Sequence, residues 1–130
     1  MDYNQSAEIT NIVNDFRFLL GLNFTPEKIQ YGMRAYPSLY FIKRLGEVKW
    51  LELHIVGSDY GTEDLIPPYD IYICQYYKFF GIIFLFQTKS IPVNNENNEY
   101  KPTHSFLYLK TISALIEKDK DTLDLLKKGW

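Results

Sequence analysis

The sequence predicts an α+β fold in two layers: a four-stranded, mainly antiparallel sheet with the N- and C-terminal helices packed on one face. Four segments between residues 37 and 89 either alternate apolar and polar side chains or are continuously apolar, which is typical of strands. The flanking segments carry apolar side chains at helical spacing. The chain has 130 residues, of which 46% are hydrophobic. That length and composition predict a single domain over residues 1–130 with one core.

The N-terminal segment 6–20 is predicted as an amphipathic helix. Its apolar side chains recur every three or four residues: Ile9, Ile12, Val13, Phe16, Leu19 and Leu20. Ser6 suits the N-cap, and Gly21 stands where a left-handed residue commonly ends a helix. The triplet Thr25-Pro26-Glu27 has the residue types of a helix start and predicts a second, short helix.

Two strands are predicted next, 37–44 and 47–56, joined by a turn at Leu45-Gly46. The second alternates clearly, because its odd-numbered residues Leu51, Leu53 and Ile55 are apolar and predict the core face. The even-numbered residues are mixed and predict a face at least half exposed to solvent. They are Val48, Trp50, Glu52, His54 and Val56.

Strands three and four are predicted over residues 70–78 and 82–89, as a hairpin that turns at Phe80-Gly81. The fourth strand is apolar on both faces, which predicts a central place in the sheet or a subunit contact. The C-terminal segment is predicted to be helical from about Ser105, with one apolar stripe and a hinge or solvated face at residues 118–121. The stripe consists of Leu109, Ile112, Ile116, Leu123 and Leu126.

Composition limits the compartment and the class of partner. The lone Cys74 cannot form an internal disulfide, and the polar start of the sequence lacks a secretion signal, so a cytoplasmic protein is expected. No apolar run reaches the length of a membrane span. The net charge of −2 and the scattered Lys and Arg residues argue against nucleic acid and fit a partner protein with a basic surface.

Motifs that carry chemistry are absent from the sequence. It has no phosphate-binding glycine loop and no metal-ligand spacing, and His54 and His104 are its only histidines. Cys74, His54 and Glu52 could form a nucleophile with its base and orienting carboxylate. The favoured interpretation makes Cys74 a small apolar residue in a strand and His54 an amphipathic surface residue. We therefore expect no enzyme activity, no catalytic residue, no metal and no cofactor.

Two candidate binding surfaces follow from the pattern. The first is an acidic loop with interleaved tyrosines, in which carboxylates steer a basic partner and aromatic rings anchor it. It comprises Asp59, Tyr60, Glu63, Asp64, Tyr69 and Asp70. The second is the sheet face opposite the predicted helices, which would expose more aromatic area than solubility requires. It comprises Trp50, Glu52, His54, Tyr72 and Tyr76.

The leading functional hypothesis is a small acidic protein that binds and inhibits another protein by steric and electrostatic occlusion. Immunity proteins that neutralise toxins and phage-borne inhibitors of host defence have this profile. A second hypothesis is a small-molecule-binding domain or small enzyme with a pocket between the sheet and the C-terminal helix, where Glu52, His54 and tyrosines supply polar groups. A secretion chaperone and a homodimer joined through the fourth strand or open sheet face are further alternatives.

Overall fold

The computed structural model describes residues 5–29, 38–57, 69–91 and 113–130. The helices are α1 (Gln5–Asp15), α2 (Phe18–Gly21), α3 (helical residues 113–118) and α4 (Lys120–Lys128). The strands are β1 (Thr25–Ile29), β2 (Ser38–Arg44), β3 (Lys49–Gly57), β4 (Tyr69–Phe79) and β5 (Ile82–Ser90). They form one antiparallel sheet in the order β1-β2-β3-β4-β5, which confirms the predicted α+β class and the antiparallel pairing.

The predicted count of four strands was wrong, because Thr25-Pro26-Glu27 begins β1 rather than a second helix. Pro26 lies opposite Phe41 of β2, at one edge of the sheet. Proline lacks a backbone N–H, and an edge strand tolerates this because one side of it has no neighbouring strand to receive that bond. Threonine, proline and an acid thus suit either a helix start or an edge strand, and the pairing with β2 decides between them.

The core lies on one face of the sheet, under helices from both ends of the sequence. Leu51, Leu53 and Ile55 are fully buried, which confirms the core face predicted for β3. The same cluster contains side chains from α1, α2, β2, β4, α3 and α4. They are Ile9, Ile12, Phe16, Leu19, Leu39, Phe41, Ile71, Ile73, Ile116 and Leu126. Because these helices cover one face, the opposite face of the sheet is built from the alternate residues of each strand.

The helix predicted over residues 6–20 is interrupted at Phe16 and Arg17. The left-handed residue that follows α2 is Asn23 (φ 72°), not the predicted Gly21. The Phe24 N–H donates to the Leu19 carbonyl and the Asn23 N–H to the Leu20 carbonyl, the two bonds of a Schellman motif. Asparagine adopts this conformation more readily than other residues with a Cβ.

The β4–β5 hairpin turns through Phe80 (φ 52°) and Gly81 (φ 76°), two consecutive left-handed residues. This combination matches the right-handed twist of the flanking strands. β5 is the other edge strand of the described sheet, so the predicted central position was wrong. Every residue of β5 is exposed, and a bulge opposite Gln75 and Tyr76 leaves Phe86 without a cross-strand partner in β4.

The end of α4 is fixed to the sheet by polar contacts. The Lys43 ammonium donates to the carbonyls of Leu126 (3.1 Å) and Lys127 (2.9 Å), which otherwise lack partners at a helix C-terminus. Burial, followed by the nearby Lys127 charge, lowers the pKa of Lys43. The Trp130 N–H donates to Gln75 Oε1 at 2.7 Å, so the residues after α4 also pack on the core face.

Replacing Gly129 by alanine should lower the free energy of unfolding by about 2 kcal/mol. Gly129 has φ 74°, and a Cβ there would lie 2.5 Å from both Gln75 Oε1 and Leu45 Cδ1. Gln75 cannot withdraw without breaking its bond to the Trp130 N–H. The matched control is Gly21→Ala, because a Cβ at Gly21 would meet no atom within 4 Å. Chemical denaturation measures both, and an equal loss in the two variants would contradict the expectation.

None of the helices in the described part of the chain is both long enough and apolar enough to cross a membrane.

Candidate functional site

The strand register gathers the even-numbered side chains of β2, β3 and β4 on the sheet face opposite the core. Trp50 lies opposite Tyr76, and His54 lies between Tyr40 and Tyr72. We call this surface the aromatic face and define it by Tyr40, Trp50, Glu52, His54, Tyr72 and Tyr76. Five of these six side chains are the sheet-face residues that the sequence predicted, and the register places them together.

Glu52 is the polar centre of the aromatic face. Its Oε2 accepts a hydrogen bond from Trp50 Nε1, and its Oε1 accepts one from His54 Nε2, both at 2.7 Å. Burial alone would raise the pKa of the Glu52 carboxyl, but the hydrogen bonds from His54 and Trp50 outweigh it and leave the pKa below its usual value. The carboxylate is therefore ionised at neutral pH, and it orients one aromatic ring on each side.

His54 is held between two rings and is only 6% exposed, so the interpretation of His54 as an amphipathic surface residue was wrong. Its imidazole stacks on Tyr40 with ring centroids 4.0 Å apart and an interplanar angle of 6°. Tyr72 contacts its other side at 5.0 Å in a tilted arrangement. Cross-strand aromatic pairs of this kind stabilise a sheet and limit rotamer freedom. His54 therefore packs beneath the aromatic face and holds the Tyr40 and Tyr72 rings in place.

Trp50 and Tyr76 form the second aromatic pair of the face. Their rings stack with centroids 5.7 Å apart, and both side chains are half-buried. Burial, followed by the adjacent Cys74 and the Glu52 charge, raises the pKa of the Tyr76 phenol, so it stays protonated. The stacking and the bond from Trp50 to Glu52 fix the orientation of these partly exposed rings.

The hypothetical nucleophile set is only partly brought together. Glu52 and His54 are hydrogen bonded, but the His54 Nε2 is used for that bond. Cys74 is buried opposite Glu52 in the register, and its Sγ lies 3.4 Å from the Thr88 hydroxyl of β5. A cysteine nucleophile needs a base within hydrogen-bond reach, whereas the Cys74 sulfur contacts the Thr88 hydroxyl.

The pocket suggested between the sheet and the C-terminal helix cannot use Glu52 and His54. α4 packs on the core face through Leu126, whereas Glu52 and His54 lie on the opposite face. A cavity at that interface would be lined by core side chains. Among the described residues, no group of three His, Cys, Asp or Glu side chains is arranged to hold a metal ion.

The acidic loop falls mostly outside the described residues. Asp59, Tyr60, Glu63 and Asp64 belong to residues 58–68, and the Tyr69 side chain is likewise outside the described part. Asp70 is described: it is exposed, and it lies opposite Val56 on the same side of the sheet as the aromatic face. It therefore adds a carboxylate to the end of that face.

Two residues of the site were missed from the sequence. Tyr40 stacks on His54, and Thr88 contacts Cys74. The alternation of β2 carried a signal for Tyr40, because its neighbours Leu39 and Phe41 are buried and Tyr40 must point the other way. Thr88 could be assigned only once the register of β5 on β4 is known.

No protein-family model, curated protein or solved structure matches this chain significantly. Its function must therefore be inferred from the geometry of the described surfaces.

Proposed function

We propose that this chain acts by binding another protein through the aromatic face, as an inhibitor that covers a basic surface of its partner. The observation that carries the proposal is the group of half-buried aromatic rings at Trp50, Tyr72 and Tyr76, held in place by the buried Glu52–His54 pair. Tryptophan and tyrosine dominate the binding energy of many protein interfaces.

The support beneath these rings favours binding because it limits the entropy lost on association. Trp50 is fixed by its hydrogen bond to Glu52 and by stacking on Tyr76, so little rotamer freedom remains to be lost. Tyr72 is fixed through its contact with His54. A surface ordered in advance contributes more of its contact energy to affinity than a mobile one.

Charge favours a basic partner. The chain has a net charge of −2, and the exposed Asp70 places a carboxylate on the same side of the sheet as the aromatic face, where Arg44 and Lys78 are also exposed. In the sequence, β3 is followed by the residues that are predicted to form an acidic loop, and these add further carboxylates to the chain. Opposite charges accelerate encounter and select the partner, whereas the rings supply most of the affinity. An inhibitor of the immunity or anti-defence type would use this combination to occlude a partner's basic cleft.

Replacing Trp50 by alanine should weaken partner binding by roughly 30-fold or more, the effect of losing one dominant interface residue. The measurement is affinity capture from a source lysate, followed by titration of the captured protein. The matched control is Trp130→Ala, since Trp130 is also a partly exposed tryptophan but sits beside Gln75 of the core face. Circular dichroism establishes that both variants are folded.

Salt and charge reversal complete the test. Binding should weaken as salt rises, and it should weaken further when Asp59, Glu63 and Asp64 are changed together to lysine. A role for the aromatic face would be contradicted if Trp50→Ala left the affinity for the captured protein unchanged. It would also be contradicted if Trp130→Ala weakened binding as much as Trp50→Ala does. An affinity that changes neither with salt nor with the triple lysine substitution would contradict the electrostatic part of the proposal.

A further inference from the structure

The β4–β5 hairpin carries an apolar surface that the rest of the described chain leaves uncovered. Five consecutive β5 side chains are 50–58% exposed. We call them the β5 patch: Ile82, Ile83, Phe84, Leu85 and Phe86. Phe80 at the hairpin tip is fully exposed, and Phe79 is about half exposed. The β5 side chains point to both sides of the sheet, because Phe84 lies opposite Tyr77 on the core side and Leu85 opposite Tyr76 on the aromatic face.

The area of this patch exceeds what a solitary chain normally shows. A half-exposed side chain of this size leaves on the order of 100 Å² in water, and a fully exposed phenylalanine about twice that, so the β5 patch together with Phe79 and Phe80 exposes roughly 800 Å². Typical monomers show at most about 300–600 Å² in their largest apolar patch, and one partner in a standard interface contributes about 800 Å². The strand is also an edge, with backbone groups on its outer side that can pair with another strand.

We infer that β5 pairs antiparallel with β5 of a second copy of this chain, about a two-fold axis at Phe84. When a two-fold axis runs perpendicular to the sheet, a residue of one copy and the residue opposite it in the other copy have side chains on the same face. Their two residue numbers then add up to an even number. With the axis at Phe84, Ile82 meets Phe86 and Ile83 meets Leu85. All five positions of the β5 patch then oppose apolar residues, which an axis at either neighbouring residue does not achieve.

Charge and the opposite sheet edge are consistent with this pairing. Lys89 lies five residues from the axis, so the two copies of its charge would be about 33 Å apart, well beyond the Debye length of about 8 Å. The other edge of each sheet is β1, where Pro26 removes a backbone donor. The assembly therefore closes as a dimer and does not extend into a filament.

This inference does not depend on the proposed inhibitor role, because a monomer could still bind a partner through Trp50. The purified chain should sediment at twice 15.4 kDa at about 100 µM, a concentration at which a dimer with a dissociation constant of about 1 µM is almost fully formed. Phe84→Lys should raise the dimer dissociation constant at least about 30-fold, because it places two ammonium groups together at the axis. Ser90→Lys adds the same charge to β5 outside the patch and should change it less than about 3-fold.

A cross-link tests the register directly. Opposed residues of an antiparallel pair have Cα atoms about 4.5–5.5 Å apart, within the range that a disulfide spans. Phe84→Cys should therefore give a covalent dimer on mild oxidation, whereas Ser90→Cys should not. Cys74 is buried and present in both variants, so it serves as an internal control. A monomeric wild type, equal cross-linking of the two cysteine variants, or a Phe84→Lys variant that still dimerises would overturn the inference.

Discussion

Replacing Glu52 by alanine should lower the free energy of unfolding by about 3 kcal/mol, although the side chain lies away from the main core. The change leaves His54 Nε2 and Trp50 Nε1 without their acceptor. The His54 and Glu52 side chains are 8% and 16% exposed, so water compensates for little of this loss. Glu52→Gln keeps one acceptor oxygen and should lose about half as much.

The matched control is Glu47→Ala, since Glu47 is exposed in the turn between β2 and β3. Its removal should change the free energy of unfolding by less than about 0.5 kcal/mol. Urea denaturation followed by far-ultraviolet circular dichroism measures all three variants. A loss at Glu52 no larger than that at Glu47 would show that the hydrogen bonds contribute nothing net.

The lowered pKa of Glu52 also fixes the sign of a pH dependence. A carboxyl whose folded pKa lies below its unfolded value of 4.5 contributes stability that is fully present above that value. The contribution is lost as the pH falls from 4.5 through the folded pKa. The difference in stability between the wild type and Glu52→Gln should therefore shrink under acid conditions and be constant near neutrality. A difference that grows as the pH falls would contradict this assignment.

Leu19→Ala should cost about 3 kcal/mol of unfolding free energy, whereas Leu20→Ala should cost less than about 1 kcal/mol. These adjacent leucines share α2, but Leu19 is fully buried and Leu20 is 41% exposed. Truncating Leu19 opens a cavity between the helix and the sheet, beside Phe24 and Phe16 of the same cluster. Equal losses at the two positions, measured by urea denaturation, would place the core on a different side of α2.

Alternation was sufficient to predict which face of β3 is buried. Leu53 and its neighbours on β3 form the core face as expected, and the aromatic face contains the residues assigned to it. These patterns succeed because a side chain's face depends only on the local periodicity of the backbone. The hairpin turn at Phe80-Gly81 could likewise be predicted, since glycine readily adopts the left-handed conformation found there.

Two errors in the fold share one cause, because the pairing partners of a strand are not encoded in its local sequence. Thr25-Pro26-Glu27 satisfies the rules for a helix start, and only its pairing with β2 makes it a strand. β5 is apolar on both faces, which normally indicates a central strand, yet it lies at the edge. The order of strands in a sheet is a property of the tertiary structure. An edge strand that a second protein would cover has the same apolar sequence pattern as a strand buried within one chain.

For the candidate site, the residue types were predictable but their contacts were not. Glu52 orients Trp50 and His54, each two residues away, through hydrogen bonds. Strand alternation places the three side chains on one face but does not determine whether they bond to one another. The stacking of Tyr40 on His54 needs the β2–β3 register. That register depends on the pairing of the two strands across residues 45–48, so a one-residue slip would have removed the whole arrangement.

The turn at Phe80 combines an unfavourable backbone conformation with a fully exposed apolar ring. A residue with a Cβ in the left-handed conformation costs about 1–2 kcal/mol, and asparagine or glycine would reduce that cost. Phe80 occupies it with φ 52° and directs a fully exposed ring outward. Phe80 therefore carries a backbone cost in folding while its ring is left available for contacts outside the chain. Replacing Phe80 by asparagine would lower the cost of the turn and at the same time remove this exposed ring.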